Sequence, residues 1–161
     1  MVTSSSTPAP SDVVLLDTNI LLIYARAGEP SRQLEAQLGL QSGRVQGFIS
    51  VICIGEVLAF AQKYNWGQTR REALMELLRV KLVPVDINRP EIFAAYADID
   101  NYCEKVMKPA RRIGQNDLWL AATAHVLQCE LVTTDRDFDH LHEVKMRRRW
   151  IDPSSLVPRK S

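Results

Sequence analysis

The stretch GQNDLWLAATAHVLQCELVTTDRDFDH, residues 114–140, decides the fold. Between 118 and 127 nearly every side chain is apolar or small, so a helix here must be enclosed by the rest of the protein. Asp117 opens it. Residues 131–134 are too few for a helix and rich in strand formers, and Asp135 follows directly, placing a carboxylate at the C-terminal end of a short buried strand. Two acids thus flank one βα layer. In open α/β sheets the carboxyl edge of the strands is where ligands gather, and carboxylates collected there invite a divalent cation.

The same grammar extends towards the N-terminus. Residues 13–16 are an apolar run ending at Asp17, and 20–24 continue with helical length and pattern. Residues 45–49 form a second strand, after which Ser50 caps a helix over 51–61. Glu56 lies inside that helix among Val51, Ile52, Ile54, Val57, Leu58 and Phe60, which predict a largely buried element and a carboxylate in need of a partner. Residues 67–80 read as an amphipathic surface helix. Residues 82–86 read as a third strand, with Pro84 marking an edge or an end. A further helix is expected from Pro90 to about Met107, its buried face drawn from Ile92, Phe93, Tyr96, Ile99 and Tyr102. A last strand is expected near 144–146 or slightly later. Strands and helices alternate, so the class is α/β, a mainly parallel sheet of four or five strands with helices on both faces.

The 161 residues, 46% hydrophobic and 24% charged, suit one domain with a proper core. No run of about 18 apolar residues occurs, which disfavours a membrane span. Residues 1–11 lack the basic start and apolar middle of a secretory signal and read as a disordered tail. The domain is expected over 12–153. Residues 154–161 contain Leu-Val-Pro-Arg, which resembles part of an engineered protease site, and are set aside as a tail. Three cysteines without a CxxC pair argue against a disulfide framework or a zinc site and for a reducing, cytoplasmic setting.

Four acids occupy comparable places: Asp17 after the first strand, Glu56 in a helix, Asp117 at a helix start and Asp135 after the fourth strand. Taken singly, each reads as a turn residue, a cap or half of an ion pair. Taken together, the motifs Leu-Leu-Asp-Thr-Asn-Ile at 15–20, Ser50 leading to Glu56, Asn116-Asp117 before Leu-Trp-Leu-Ala-Ala-Thr-Ala, and Leu-Val-Thr-Thr-Asp-Arg-Asp-Phe at 131–138 resemble the PIN-domain nucleases, specifically the VapC-type toxins of toxin–antitoxin pairs. The resemblance covers nearly the whole chain. It implies a three-layer sandwich and a metal-dependent endoribonuclease that leaves a 5′-phosphate and a 3′-hydroxyl. Asp17, Glu56, Asp117 and Asp135 match the family's catalytic, metal-binding acids, and Asp137 matches its auxiliary one. The implied cofactor is Mg²⁺ or Mn²⁺, one or two ions. The implied partners are RNA, a cognate antitoxin that blocks the cleft with an arginine set among the carboxylates, and a second copy of the chain contacting through the 67–80 helix.

Chemistry gives the same assignment a reason. Crowded carboxylates raise one another's pKa, and hard divalent cations with oxygen ligands relieve that conflict and bridge to phosphate. Thr18 and Asn19, next to Asp17, and Thr134, next to Asp135, are candidates to donate hydrogen bonds to a carboxylate or phosphate. Net charge is +1, yet drawing five acids into one cleft leaves 14 acids against 20 bases elsewhere. Lys108, Arg111 and Arg112, just before Asp117, are the candidate RNA contacts, with solvated helix-end charges as the plainer alternative. Arg147–Arg149 on a strand would alternate between faces. Three other readings compete. A His140/His142 zinc site lacks a third ligand at convincing spacing. A phosphatase Asp-x-Asp motif is broken by Asn19. A PIN fold that binds RNA or protein without cutting, or that cuts DNA instead, shares the same framework. His125 is expected to be packed in the core.

Overall fold

The computed structural model describes residues 13–157, so the expectations for residues 1–11 and for the last residues of the chain lie outside them. Five parallel strands form one sheet: β1 (Val13–Leu16), β2 (Gln46–Ser50), β3 (Leu82–Val85), β4 (Glu130–Thr133) and β5 (Arg147–Trp150), in the order β3-β2-β1-β4-β5. β1 and β4 are completely dry at Val14–Leu16 and at Leu131 and Val132, as their apolar runs demand. Pro84 sits in the edge strand β3, where its missing N–H costs no ladder bond. Gly47, in β2, is packed closely by the δ-methyls of Leu40 and Leu82. The last strand falls just beyond the expected 144–146.

Helices α1 (Thr18–Arg26), α2 (Glu29–Leu38), α3 (Val51–Lys63) and α4 (Gln68–Glu76) lie within the β1–β2–β3 half, where α1 packs on α2, α3 and α4. Helices α5 (Pro90–Asn101) and α6 (Gln115–Leu127) pack on each other between β3 and β4. The chain progresses outward from β1 to β3 and then returns across β1 to β4. Right-handed crossovers therefore place the two helix groups on opposite faces, giving three layers. Where the direction reverses, between β1 and β4, the connections leave adjacent strand ends towards opposite faces, the arrangement that forms a crevice at the carboxyl edge of an open α/β sheet.

α2 did not emerge from the periodicity. Its buried apolar side chains are Leu34 and Leu38 alone, with Ser31 buried beside them, but Glu29 and Pro30 at its start and the left-handed Gly39 at its end are signals for it. Ser50 caps α3 through a hydrogen bond to the Ile52 N–H. That helix is not enclosed, contrary to the reading of its apolar sequence. It buries Cys53, Val57 and Ala61 alone, while Val51 and Leu58 remain 38% and 42% exposed. α4 ends at Glu76 and passes into a π-helical turn, Leu77–Lys81; its buried positions are Leu74, Leu77 and Leu78, and Ala73 is exposed. α5 likewise gives way to a π-helical turn, Tyr102–Val106. Its buried stripe is Ile92, Ala95, Ile99 and Cys103, a clean helical period, and Phe93 points outward. α6 is enclosed from Leu118 to Ala124 as predicted, but His125 is exposed and its Nδ1 meets the Lys145 carbonyl at 2.5 Å. Pro153–Leu156 forms a short 3-10 turn against α2, with Leu156 buried and Gln37 donating to the Ser155 hydroxyl, so part of the stretch set aside as a tail belongs to the packed body. Among the described residues no helix is long and apolar enough to cross a membrane.

Candidate active site

Asp17 is the residue immediately after β1, at the crevice. Its backbone N–H donates to the Val132 carbonyl of β4, and its side chain caps α1 by accepting from the Thr18 N–H at 2.6 Å. The other oxygen accepts from the Thr133 hydroxyl at 2.7 Å and from Asn19 Nδ2 at 3.2 Å. Only 7% of Asp17 is exposed. Burial, opposed by the bonds from Thr133 and Thr18 and reinforced by the charges of Glu56 and Asp135, holds its pKa above the usual carboxylate range.

Thr133, at the end of β4, organises the next acid too: its hydroxyl accepts from the Asp135 N–H at 2.9 Å, and Asp135 Oδ1 then accepts from the Asp137 N–H. This serial pattern fixes the acidic turn after β4. The side-chain bond expected of Thr134 belongs to Thr133 instead. Thr134 takes part through its backbone, its N–H donating to Asn19 Oδ1 and its carbonyl accepting from Trp150 Nε1. Period-two alternation along β4 explains the difference, because neighbouring threonines must point to opposite faces.

Glu56, in the second turn of α3, faces the crevice. Thr18 Oγ1 donates to its Oε2 at 2.6 Å, and Asn116 Nδ2 to its Oε1 at 2.5 Å. The partner that this carboxylate requires is therefore a pair of neutral donors from two other helices. Asn116 is a site residue that the motif alone does not mark; its place one residue before Asp117 is the signal that points to it. Asp117, in the first turn of α6, is half-buried. Burial comes first, followed by the charges of Asp17, Asp135, Asp137 and Glu56, in raising its pKa to about 6. All five acids thus influence one proton.

Ion pairing leaves the centre of this group untouched. Among the described residues no Lys or Arg pairs with Asp17, Glu56, Asp117 or Asp135, and the approach of Arg111 to Asp137 at 4.0 Å touches the exposed rim. No three ligating side chains among the described residues converge tightly enough, as placed, to enclose a cation. The donor chemistry fits a hard divalent ion all the same: the ligand atoms are carboxylate oxygens, their charges are uncompensated, and hydroxyl and amide donors steer them from behind. Of the candidate RNA contacts, Lys108 is exposed, Arg111 leans to Asp137, and Arg112 is turned to Glu104 at 3.2 Å. The β5 arginines are committed elsewhere: Arg147 to the Gln128 carbonyl, Arg148 to Asp139 and Arg149 to Glu130. His140 contacts Cys103 Sγ, and His142 Nδ1 accepts from the Arg148 N–H.

Solved structures with the same architecture include VapBC2 from Rickettsia felis bound to a DNA fragment from its promoter (20% identity, TM-score 0.71, 85% of this chain and 97% of that one). VapBC-1 from nontypeable Haemophilus influenzae (25%, 0.61, 86% and 97%) and a toxin–antitoxin complex from Klebsiella pneumoniae (25%, 0.55, 78% and 89%) are also similar. No curated protein matches. The sequence model of the PIN domain matches residues 14–144, and with the five-stranded parallel sheet and the acids gathered at its carboxyl edge, the chain belongs to the PIN domain family.

Proposed function

We propose that this chain is a divalent-cation-dependent endoribonuclease, the toxin of a type II toxin–antitoxin pair. One observation carries the reading: acids from four distant segments share one crevice, the charges of their neighbours add to burial in raising the pKa of Asp17 and of Asp117, and among the described residues no Lys or Arg pairs with Asp17, Glu56, Asp117 or Asp135. Asp17, Asp117 and Asp135, with Glu56 and with Asp137 as auxiliary, would hold one or two Mg²⁺ or Mn²⁺ ions. Bound there, such an ion supplies charge neutralisation at a scissile phosphate and a water of lowered pKa.

The chain's own residues do the rest. Thr133, Thr18 and Asn19 lock the Asp17 carboxylate in one orientation, so little reorganisation is needed when substrate arrives. Glu56, fixed at both oxygens by Thr18 and Asn116, retains lone pairs on each to accept a proton from the attacking water. Water adds to phosphorus as its proton passes to Glu56, the P–O3′ bond breaks with its electron pair on O3′, a solvent water protonates that oxygen, and the products are a 5′-phosphate and a 3′-hydroxyl. Arg111 and Lys108 meet the phosphates flanking the cut.

The toxin assignment is supported by the similarity to proteins solved as toxin–antitoxin complexes. The expected partners are an antitoxin protein that covers the crevice and a second copy of the chain contacting through α4; the expected place is the cytoplasm. Purified protein incubated with total RNA should produce cuts with 5′-phosphate ends in Mn²⁺ or Mg²⁺, abolished by chelator and by Asp17→Asn. RNA that is bound but never cut at any concentration of either ion would make the chain a binding module. Induction should arrest growth, and Asp117→Ala should relieve the arrest; growth unaffected by the wild-type chain would remove the toxin role.

A further inference from the structure

A groove of about 470 Å³ lies between the end of α1, the end of α3 and the start of α4, away from the acidic crevice. Its wall includes Arg26, Tyr64, Trp66 and Arg70, and no Asp or Glu lines it. Three aromatic rings cluster here: Phe60 stands 4.4 Å from Tyr64 and 5.9 Å from Trp66, centroid to centroid. Each ring carries a cation. Arg26 lies over Phe60 at 5.6 Å, Lys63 over Tyr64 at 5.6 Å and Arg70 over Trp66 at 5.0 Å. Among the described residues none of the three cations has a carboxylate in ion-pair range, which leaves their charges available. Trp66 is buried, whereas Tyr64 is 57% exposed and is the open ring of the cluster.

The groove and the crevice are served by the same helix, α3. Phe60 lies one turn beyond Glu56 on α3, and Tyr64, which caps the C-terminal end of that helix, stands roughly 12 Å farther along its axis than Glu56 at about 1.5 Å per residue. A strand with its scissile phosphate at Glu56 reaches Tyr64 within a few nucleotides. We propose that this groove is a subsite for single-stranded RNA, in which an unpaired base stacks on Tyr64 while Arg26 and Arg70 meet the flanking phosphates. The chemistry is that of a stacking platform within a cationic groove: every base offers a π-face, and guanidinium groups already held over rings lose little freedom on meeting phosphate. The uncompensated charge favours a polyanion, and the exposed aromatic favours one that carries bases over an acidic peptide.

The inference rests on the ribonuclease reading above. Its test uses the full chain in chelator, with a fluorescein-labelled single-stranded RNA of about 10 nucleotides, a length typical of such sites, and fluorescence polarisation. Tyr64→Leu should weaken binding roughly tenfold or more, as loss of one stacked base does, while Tyr64→Phe binds like wild type. Arg26→Ala/Arg70→Ala should flatten the slope of log affinity against log salt by about 1.4, or about 0.7 per lost phosphate contact. Affinity and slope unchanged in both variants overturn the proposal. Unchanged RNA affinity with weakened binding of polyglutamate also overturns it and marks a protein-docking surface. Cleavage in Mn²⁺, assayed in parallel, separates the two readings: wild type that cuts RNA while Tyr64→Leu binds normally sinks the subsite alone. Wild type that never cuts, with binding still dependent on Tyr64, sinks the nuclease and leaves the groove an RNA site.

Discussion

The Thr133 hydroxyl donates to Asp17 Oδ2 at 2.7 Å, joining the ends of the two adjacent central strands through a single buried bond. The Thr133 hydroxyl oxygen in turn accepts from the Asp135 N–H, so one small side chain sets the positions of two acids. Thr133→Val keeps the shape and removes both bonds. Loss of a buried hydrogen bond to a charged group costs about 1.5–3 kcal/mol, and urea unfolding should register it. Because that bond holds the Asp17 pKa down against burial, its removal should also move the acidic limb of the pH–rate profile upward. Thr133→Ser, which keeps the hydroxyl, should retain most of both. A Val variant with wild-type stability and pH profile would refute this role.

Asp117 gives a stability prediction with a definite sign. Its pKa rises from 3.8 to about 6 on folding, so the folded chain binds the proton more tightly than the unfolded one. Stability then falls as pH climbs from about 4 through 6. In chelator, Asp117→Asn should therefore stabilise the protein at pH 7 by about 1 kcal/mol, a two-unit shift discounted for solvent screening, and the gain should vanish below pH 4. Mn²⁺ should raise the melting temperature of wild type more than that of the variant. A destabilised Asp117→Asn at pH 7 would contradict the charge crowding.

Glu35 supports the fold at a distance from the crevice. Its burial alone would raise its pKa, but bonds from the Gln41 and Ser42 N–H groups and the Tyr24 hydroxyl outweigh that and hold it below 4.5. The stability it contributes is fully present above about pH 4.5 and is lost as pH drops through the lowered folded value. Glu35→Gln should cost about 1–3 kcal/mol at pH 7, measured by denaturant melts, and the cost should shrink in acid. Tyr24→Phe, deleting one donor, should cost about 1 kcal/mol.

Arg111 and Arg112 are neighbours with different surroundings. Arg111 stands 4.0 Å from Asp137 at the crevice rim, whereas Arg112 is engaged by Glu104. Arg111→Ala should raise KM for RNA severalfold and lower the salt dependence of binding, with stability changed by less than about 0.5 kcal/mol. Arg112→Ala should do less. Equal effects from both would indicate diffuse charge rather than a placed contact.

The sequence by itself determined the elements whose signals are local. The enclosed face of α6, the dry runs of β1 and β4, the Ser50 cap and the proline of an edge strand were legible because burial period, capping and ring geometry act within a few residues. The positions of the four acids could be read as well, each standing at the end or in the first turns of a readable element, but their grouping into one site came from the resemblance to the PIN-domain nucleases and not from any local signal. The tertiary structure alone decided what those acids touch. That Thr133 rather than Thr134 meets Asp17, that Asn116 and Thr18 share Glu56, and that α3 lies half open all depend on which elements become neighbours. α2, with two core-facing leucines, and the π-helical turns after α4 and α5 depend on it as well, since packing rather than propensity stabilises them. The crossing of the chain from β3 back over β1 to β4 opens the crevice, and no residue's local preference encodes a contact made across more than a hundred positions.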